Sequence, residues 1–438
     1  MSASATSTLR SRDLAGLWLL AIAAAAAVGT HGIVYWDAGD YVRLALDGGT
    51  SGLALGRPLF LFVSRLVLAT GVDPAHAEFV LRWFWTAVGA TAAPALAVLA
   101  SRLDLNRSAA IAAGLALALS PSFAHTNHQV LTDTPALALS IAALIAATYS
   151  HAIAAGLLLA AAIATRETSA VHVVAIAILL GRRAVLAMLV LAVALAAILL
   201  VFPPPGLASW WQLMSQSTVA RAATPSGVFK SLLWVLAAGP VPVVVGIFVL
   251  ARRPAGRWLI VSVPALIATV GLLFYPDGSF SPRYVLATAP LAFFFAAGIW
   301  LSQRPRLFMA ALIVPLAAVP LITAPSRVIA AYGETVVQRI RSLPAGAIVV
   351  PGHYCPQARL GASIYRRGDL SMVCPGWEWP ADLSAALDAG RAAGHPVAVD
   401  ISAEAWRDPG ETPHRDAARQ WVAGRASELV AGYNVVSR

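Results

Sequence analysis

The sequence predicts an all-α polytopic membrane domain followed by a small C-terminal α/β domain, and three observations carry that expectation. Of its 438 residues, 59% are hydrophobic and only 12% charged, with a mean hydropathy of +0.73, against about 45–50% apolar and 25% charged in a soluble domain. The apolar residues come in long runs punctuated by arginines, in the manner of membrane topology signals. From about Ala324 the runs stop, and short helical and strand-like segments alternate, which is the pattern of an α/β domain. The boundary divides the chain into a transmembrane domain at 1–324 and a domain outside the membrane at 325–438. The net charge of +10 comes from 31 Lys+Arg against 21 Asp+Glu. Because these basic residues are spread between the apolar runs and form no patch, no nucleic-acid partner is expected.

In chain order, a small polar N-terminus with Arg10 and Arg12 precedes a first span at Leu14–Val34, for which a cleavable signal peptide is the rival reading. The stretch Tyr35-Trp36-Asp37-Ala38-Gly39-Asp40-Tyr41-Val42-Arg43 follows, read as a polar, doubly acidic loop beside the membrane surface. Leu53–Gly71 is interrupted by Gly56-Arg57-Pro58 and Arg65, so it falls short of the roughly 20 residues a span needs and is read as an outer interfacial helix. Spans are then expected at 77–100, 109–119, 135–149, 152–165, 169–180, 184–202, 228–250, 258–274, 285–301 and 307–323. With the first span these make about eleven, and this count puts Arg182-Arg183, Arg252-Arg253 and Arg304 with Arg306 on one side, as the positive-inside rule requires. Were 53–71 a span, all of these would face outward. In the last domain, strands are expected at 347–350, 370–373 and 397–401, and helices at 336–341, 357–366 and 381–393. The two cysteines, Cys355 and Cys374, both fall there, one after a strand and one at the end of the next, and are read as a disulfide over two free thiols.

Span parity delivers one set of polar residues to the outer side: Asp37, Asp40, Tyr41, Arg57, Arg82, His125, His128, Asp133, Arg166, Glu167, Arg283 and Tyr284. Arg166 and Glu167 lie between two short apolar segments, where ionisable groups face a cavity or a partner; the bland reading is a self-neutralising pair. Asp133 stands where a helix begins, so it reads equally well as a first-turn acid. Arg283 opens a helix, where a cation opposes the helix dipole and an anionic partner explains it better than capping. His125 and His128 have no third ligand nearby and read as structural polar contacts.

In order, these residues resemble the GT-C superfamily of polytopic glycosyltransferases, especially the branch of protein mannosyltransferases and the aminoarabinose transferase of lipid A. The likeness runs over residues 14 to about 323. Asp37 with Tyr41 matches the family's acidic motif after the first span, and Arg57-Pro58 its basic residue before an outer helix. Thr132-Asp133-Thr134-Pro135, Thr165-Arg166 and Arg283-Tyr284 match three further short motifs, whereas Asp37-Ala38 stands where the family commonly has Asp-Glu. The resemblance implies an enzyme of a bacterial inner membrane that moves a sugar from a polyprenyl-phosphate donor to a lipid, glycan or protein acceptor. Asp37 or Asp40 would act as general base, and Tyr41, Arg57, Asp133, Arg166, Glu167, Arg283 and Tyr284 would bind substrate. The C-terminal domain would be extracytoplasmic. No cofactor is expected, with a divalent metal left open. The rival classes are a transporter or lipid flippase using the same charges as a relay, and a non-catalytic envelope assembly factor.

Overall fold

The computed structural model describes residues 9–29, 32–33, 36–48, 57–201, 324–374, 383–406 and 412–436, with scattered positions between 303 and 317. The described residues divide into two compact units: Met1–Gly29, Thr50–Leu66 and Val80–Ile322 form the first, and Thr30–Gly49, Val67–Phe79 and Thr323–Arg438 the second.

The first unit is helical. Its elements are α1 (Ser11–Val28), most of α3 (Pro58–Leu68) and of α4 (Ala77–Ala90), α5 (Ala92–Arg102), α6 (Arg107–Ala118), α7 (Pro121–Asn127), α8 (Asp133–Thr148), α9 (Ala152–Thr165), α10 (His172–Leu180) and α11 (Ala184–Val201). Among the described residues three helical runs are long and apolar enough to cross a membrane: Ser11–Val28, Pro74–Arg102 and Glu167–Val201. Helices α6 and α7, bent by 59° at their junction, make a fourth if they form one broken span. Helices lie at all seven of the spans expected before residue 203. The other four expected spans, Arg283 and Tyr284 lie essentially outside the described residues.

Alanine dominates the core of this unit, with Ala90, Ala93, Ala113, Ala116, Ala143 and Ala155 among its buried members. Small side chains let helix backbones approach closely, which is how apolar helices associate where lipid removes the hydrophobic drive between them. Gly156 shows the limit: a Cβ there would strike the Ala187 carbonyl and the Val190 side chain. The first helix stops at Val28, short of the expected 34. A Cβ at Gly29 would collide with His128, so α1 ends where the end of α7 crosses it.

The second unit is an α/β sandwich. Its sheet runs β2 (Ser371–Met372), β1 (Ile348–Val350), β3 (Val397–Val399), β5 (Tyr433–Val436), β4 (Glu428–Val430). The first three strands are parallel and β5 and β4 antiparallel. Around the sheet lie α12 (Ala324–Ile340), α13 (Cys355–Ile364), α14 (Leu383–Ala392) and α15 (Thr412–Ala423). The strands at 348–350, 371–372 and 397–399 match those expected, and the β4–β5 hairpin is additional. Val350, Val397, Val399, Trp406 and Trp421 close one core of this unit, and Val336, Ile340, Tyr354, Ala398 and Tyr433 the other. At the end of β3, buried Asp400 accepts from the Tyr332 hydroxyl at 2.5 Å and from the Ser402 amide at 3.0 Å. Arg339 donates to the same tyrosine oxygen at 3.2 Å. Burial and the Asp400 carboxylate push the Tyr332 hydroxyl up to about 12, so it stays a neutral donor throughout the physiological range.

The unit also contains α2 (Trp36–Asp47). The stretch expected as a polar loop is therefore helical, and it packs along α13: Gly39 lies against Pro356, and Ser363 donates to Asp47 at 2.7 Å. Its buried residues Ala38, Tyr41, Val42 and Ala45 recur at the three- and four-residue spacing of one helical face.

Cys355 and Cys374 form a disulfide, with Cα atoms 5.5 Å apart, a separation in the ordinary range for such bridges. The bridge joins the start of α13 to the end of the β2 segment, and Trp377 and Trp379 beyond it lie outside the described residues. A loop of 19 positions closed in this way stabilises the folded chain by about 3 kcal/mol on the chain-entropy account. Replacing both cysteines by serine is expected to lower unfolding stability by that amount in denaturant titrations of the full chain. Thiol labelling of the denatured, unreduced protein is expected to find no reactive cysteine.

Candidate active site

The sequence-predicted residues fall in both units, and each set has its own geometry. In the first unit a buried polar belt runs through the ends of α3, α4, α7, α8 and α9. Arg57, Arg82, Asn127, His128, Thr132, Asp133, Thr134, Arg166 and His172 are all buried. Burial of this kind is tolerated only when each group is paired, and the pairing is specific. Asn127 donates to the Thr86 carbonyl at 3.1 Å while the Thr86 hydroxyl reaches the Asn127 carbonyl at 2.8 Å. Trp85 donates to the Ser64 hydroxyl at 3.0 Å and stacks on Phe60. Gly89 is required beside this belt, since a Cβ there would run into the Asn127 and Thr134 side chains.

Among the described residues two ion pairs stand out in the belt. Arg166 Nη1 donates to Asp133 Oδ2 at 3.1 Å and to the Thr132 hydroxyl at 3.0 Å; both members of the ion pair are almost wholly buried, at 2% and 0% side-chain exposure. Arg57 Nη2 meets Glu167 Oε1 at 3.4 Å. Besides the neighbour considered from the sequence, Arg166 and Glu167 each pair elsewhere, Arg166 with Asp133 on α8 and Glu167 with Arg57 at the start of α3. The cause is local. Arg166 is extended, with φ −155° and ψ 120°, between the end of α9 and the 3-10 turn Glu167–Val171, and successive side chains on extended backbone point to opposite sides. Asp133 is the first residue of α8 and makes no cap; Thr132 holds the cap position, also without a side-chain cap bond. A carboxylate in a first turn is favoured by the helix dipole, which offsets part of the cost of burying its charge.

In the second unit, Asp37, Asp40 and Tyr41 lie at i, i+3 and i+4 on α2, the spacing of one helical face. Tyr41 is fully buried, Asp40 nearly so and Asp37 half-buried. Asp40 accepts from Arg43 at 3.3 Å. Burial raises the Asp40 carboxyl above the usual carboxylate range, and the nearby Arg43 and Arg359 guanidiniums only partly offset this. Arg43 was not singled out from the sequence, although its i+3 spacing from Asp40 was a usable sign. Among the described residues no group of three or more His, Cys, Asp or Glu side chains could hold a metal ion, and His128 instead meets Trp83 edge to face at 5.1 Å.

The fold is shared with solved structures of the GT-C superfamily. ArnT from Cupriavidus metallidurans bound to undecaprenyl phosphate is 13% identical, with a TM-score of 0.67 over 97% of each chain. Its apo state gives 12% and 0.64 over the same shares. The archaeal oligosaccharyltransferase AglB from Archaeoglobus fulgidus, in complex with an inhibitory peptide and a dolichol-phosphate, is 9% identical, with a TM-score of 0.58 over 94% of this chain and 71% of that one. No protein-family model matches the chain, and no curated protein matches it significantly.

Removing one member of a buried ion pair leaves the other charge uncompensated, at a cost of about 3–5 kcal/mol. Asp133→Ala is therefore expected to lower the stability of the detergent-solubilised protein by that order in thermal unfolding. The double change Asp133→Leu with Arg166→Met should recover most of the loss. Asp40 gives a separate pH test. Its folded-state value lies above its ordinary one, so the ionised form opposes folding, fully above the folded value and not at all below the unfolded value of about 3.9. Asp40→Asn is expected to raise the Tm at pH 7, and the advantage should shrink as the pH falls through the folded value toward about 4.

Proposed function

We propose that the protein is an integral-membrane glycosyltransferase that moves a sugar from a polyprenyl-phosphate donor to an acceptor on the extracytoplasmic side. The observation that carries this reading is the pair of buried arginines, Arg57 and Arg166, each held by a carboxylate from another element, in a fold shared with lipid-phosphate-bound enzymes. A guanidinium carries five donors in a planar fork, and each of these ion pairs is made through a terminal nitrogen. Arginines pre-oriented in this way suit a phosphate whose charge grows as it leaves, because donors fixed beforehand stabilise developing charge without reorganisation. In the proposed site Arg57 and Arg166 hold the leaving phosphate, and Asp133 and Glu167 fix the two arginines; Arg283 and Tyr284, assigned with them from the sequence, lie outside the described residues.

On the acceptor side, a carboxylate takes the proton of the attacking hydroxyl, and the sugar carbon is displaced in line with inversion. Asp37 is assigned as that base. It lies in the first turn of α2 and is partly exposed, so an acceptor can reach it. Asp40 is buried and held by Arg43, which suits the placing of the helix better than contact with substrate. No cofactor is assigned. The orientation that puts this site and residues 325–438 outside the cytoplasm rests on the arginine distribution.

Asp37→Asn is expected to keep donor binding while lowering turnover by roughly 10²- to 10⁴-fold, measured with radiolabelled polyprenyl-phosphate sugar in reconstituted membranes. Normal turnover in Asp37→Asn with a comparable loss in Asp40→Asn would transfer the base to Asp40. Full activity in both variants would refute glycosyl transfer at this helix. Arg57→Gln is expected to weaken binding of the lipid phosphate by about 1.5–3 kcal/mol, the range for hydrogen bonds to charged groups.

A further inference from the structure

A cavity of 630 Å³ opens in the second unit between α2 and the C-terminal end of α13, and four guanidiniums line it: Arg43, Arg359, Arg366 and Arg367. They are not equivalent. Arg367 is committed to the fold, with Nε and Nη2 on the Asp369 carboxylate at 2.8 Å and Nη1 on the carbonyls of Ile340, Arg341 and Leu343. It forms a fixed cationic wall. Arg43 is shared between Asp40 at 3.3 Å and Asp47 at 3.8 Å, contacts long enough to be exchanged for a better anion. Among the described residues Asp47 is the one carboxylate lining the cavity, and one of its oxygens is taken by the Ser363 hydroxyl.

Arg366 is the unusual member. Its side chain is exposed and makes no hydrogen bond or ion pair among the described residues, and its backbone is left-handed, with φ 55°. It occupies the residue after the cap of α13, where the Arg367 amide bonds to the Ala362 carbonyl at 2.7 Å and the Arg366 amide to the Ser363 carbonyl at 3.3 Å. This is the Schellman arrangement, in which glycine is the usual occupant because any Cβ is penalised there. A glycine stands two residues later, at Gly368. The chain thus keeps a long cation in a strained position and aims it, with Arg359 and Ser363 seven and three residues earlier, at one cavity. Strain of this kind points to a function that holds it in place.

We propose that this cavity binds a phosphate monoester. Several planar forks converging from two helices and a turn match a tetrahedral group with several charged oxygens, and Ser363 supplies a neutral donor or acceptor beside them. Binding stands on the cavity alone; its use, to hold the phosphate of a phosphorylated acceptor, rests on the glycosyl-transfer reading.

The test is calorimetric titration of the full chain in non-ionic detergent with glucose 1-phosphate, and in phosphatidylcholine nanodiscs with and without phosphatidic acid. Arg366→Gly is the informative variant, because it removes the cation and relieves the backbone together. It is expected to keep or raise the Tm while weakening binding at least tenfold, and Arg359→Gln should weaken it comparably. Loss of glucose 1-phosphate binding in Arg366→Gly supports a soluble saccharide phosphate as the source. Loss confined to the phosphatidic acid arm supports a lipid-borne one. Absence of binding in both arms, or affinity unchanged in both variants, overturns the proposal, as does a lowered Tm in Arg366→Gly, which would mark Arg366 as structural. Turnover is not read, so failure here leaves the transferase assignment standing, and an inactive protein that still binds the sugar phosphate leaves the cavity standing.

Discussion

The helical unit depends on one buried ion pair. Bringing Arg166 and Asp133 out of water costs several kcal/mol per ion, and their attraction recovers this only when further hydrogen bonds and dipoles assist. Here the Thr132 hydroxyl and the first turn of α8 do so. The extended backbone at Arg166 is what aims the guanidinium at that turn. It also sends the next side chain, Glu167, the other way, to Arg57. One irregular residue between two helices thereby ties α9 to α8 and to the start of α3. A lysine at 166 would keep the charge but not the fork that meets a carboxylate and a hydroxyl together.

The surroundings make this arrangement tolerable. An alanine-rich core allows the helix backbones near contact, so the polar belt is gripped by rigid walls. Gly29 and Gly89 mark where the fit is closest, each facing a polar side chain, His128 or Asn127, with no room for a Cβ. The same smallness leaves space for the large polar groups between the helices.

Most of the architecture was legible because long apolar runs leave few readings. Helices α6, α8 and α9 and strands β1 to β3 lie where the pattern placed them. Helix α2 was read as a loop because Asp37, Asp40 and Arg43 obscure its apolar spacing at Ala38, Tyr41, Val42 and Ala45. That spacing makes sense only once α13 supplies a surface to cover it. The β4–β5 hairpin turns at Ala431 and Gly432, both with positive φ. Alanine there replaces the Asn or Asp that would have signalled such a turn. In the candidate site the residues were identifiable and their distant partners were not: adjacency of Arg166 and Glu167 in the chain suggested a pair, and the extended residue between the helices gives each a further partner elsewhere. The Arg57 to Glu167 contact crosses 110 positions, a distance no local pattern encodes.

The docking of α2 on α13 has a consequence for how the molecule is made. Asp47 and its hydrogen-bond partner Ser363 are 316 residues apart. A ribosome adding about 5–20 residues per second takes roughly 15–60 s to produce the second after the first. During that interval the acidic helix has been synthesised and the surface that buries Tyr41 and Val42 has not. The first polar element to emerge is therefore among the last to find its place. Assembly of the second unit closes a loop that encloses nearly the whole membrane domain, so a ribosome that stalls before α13 leaves an apolar helical face uncovered for quality-control proteases to recognise.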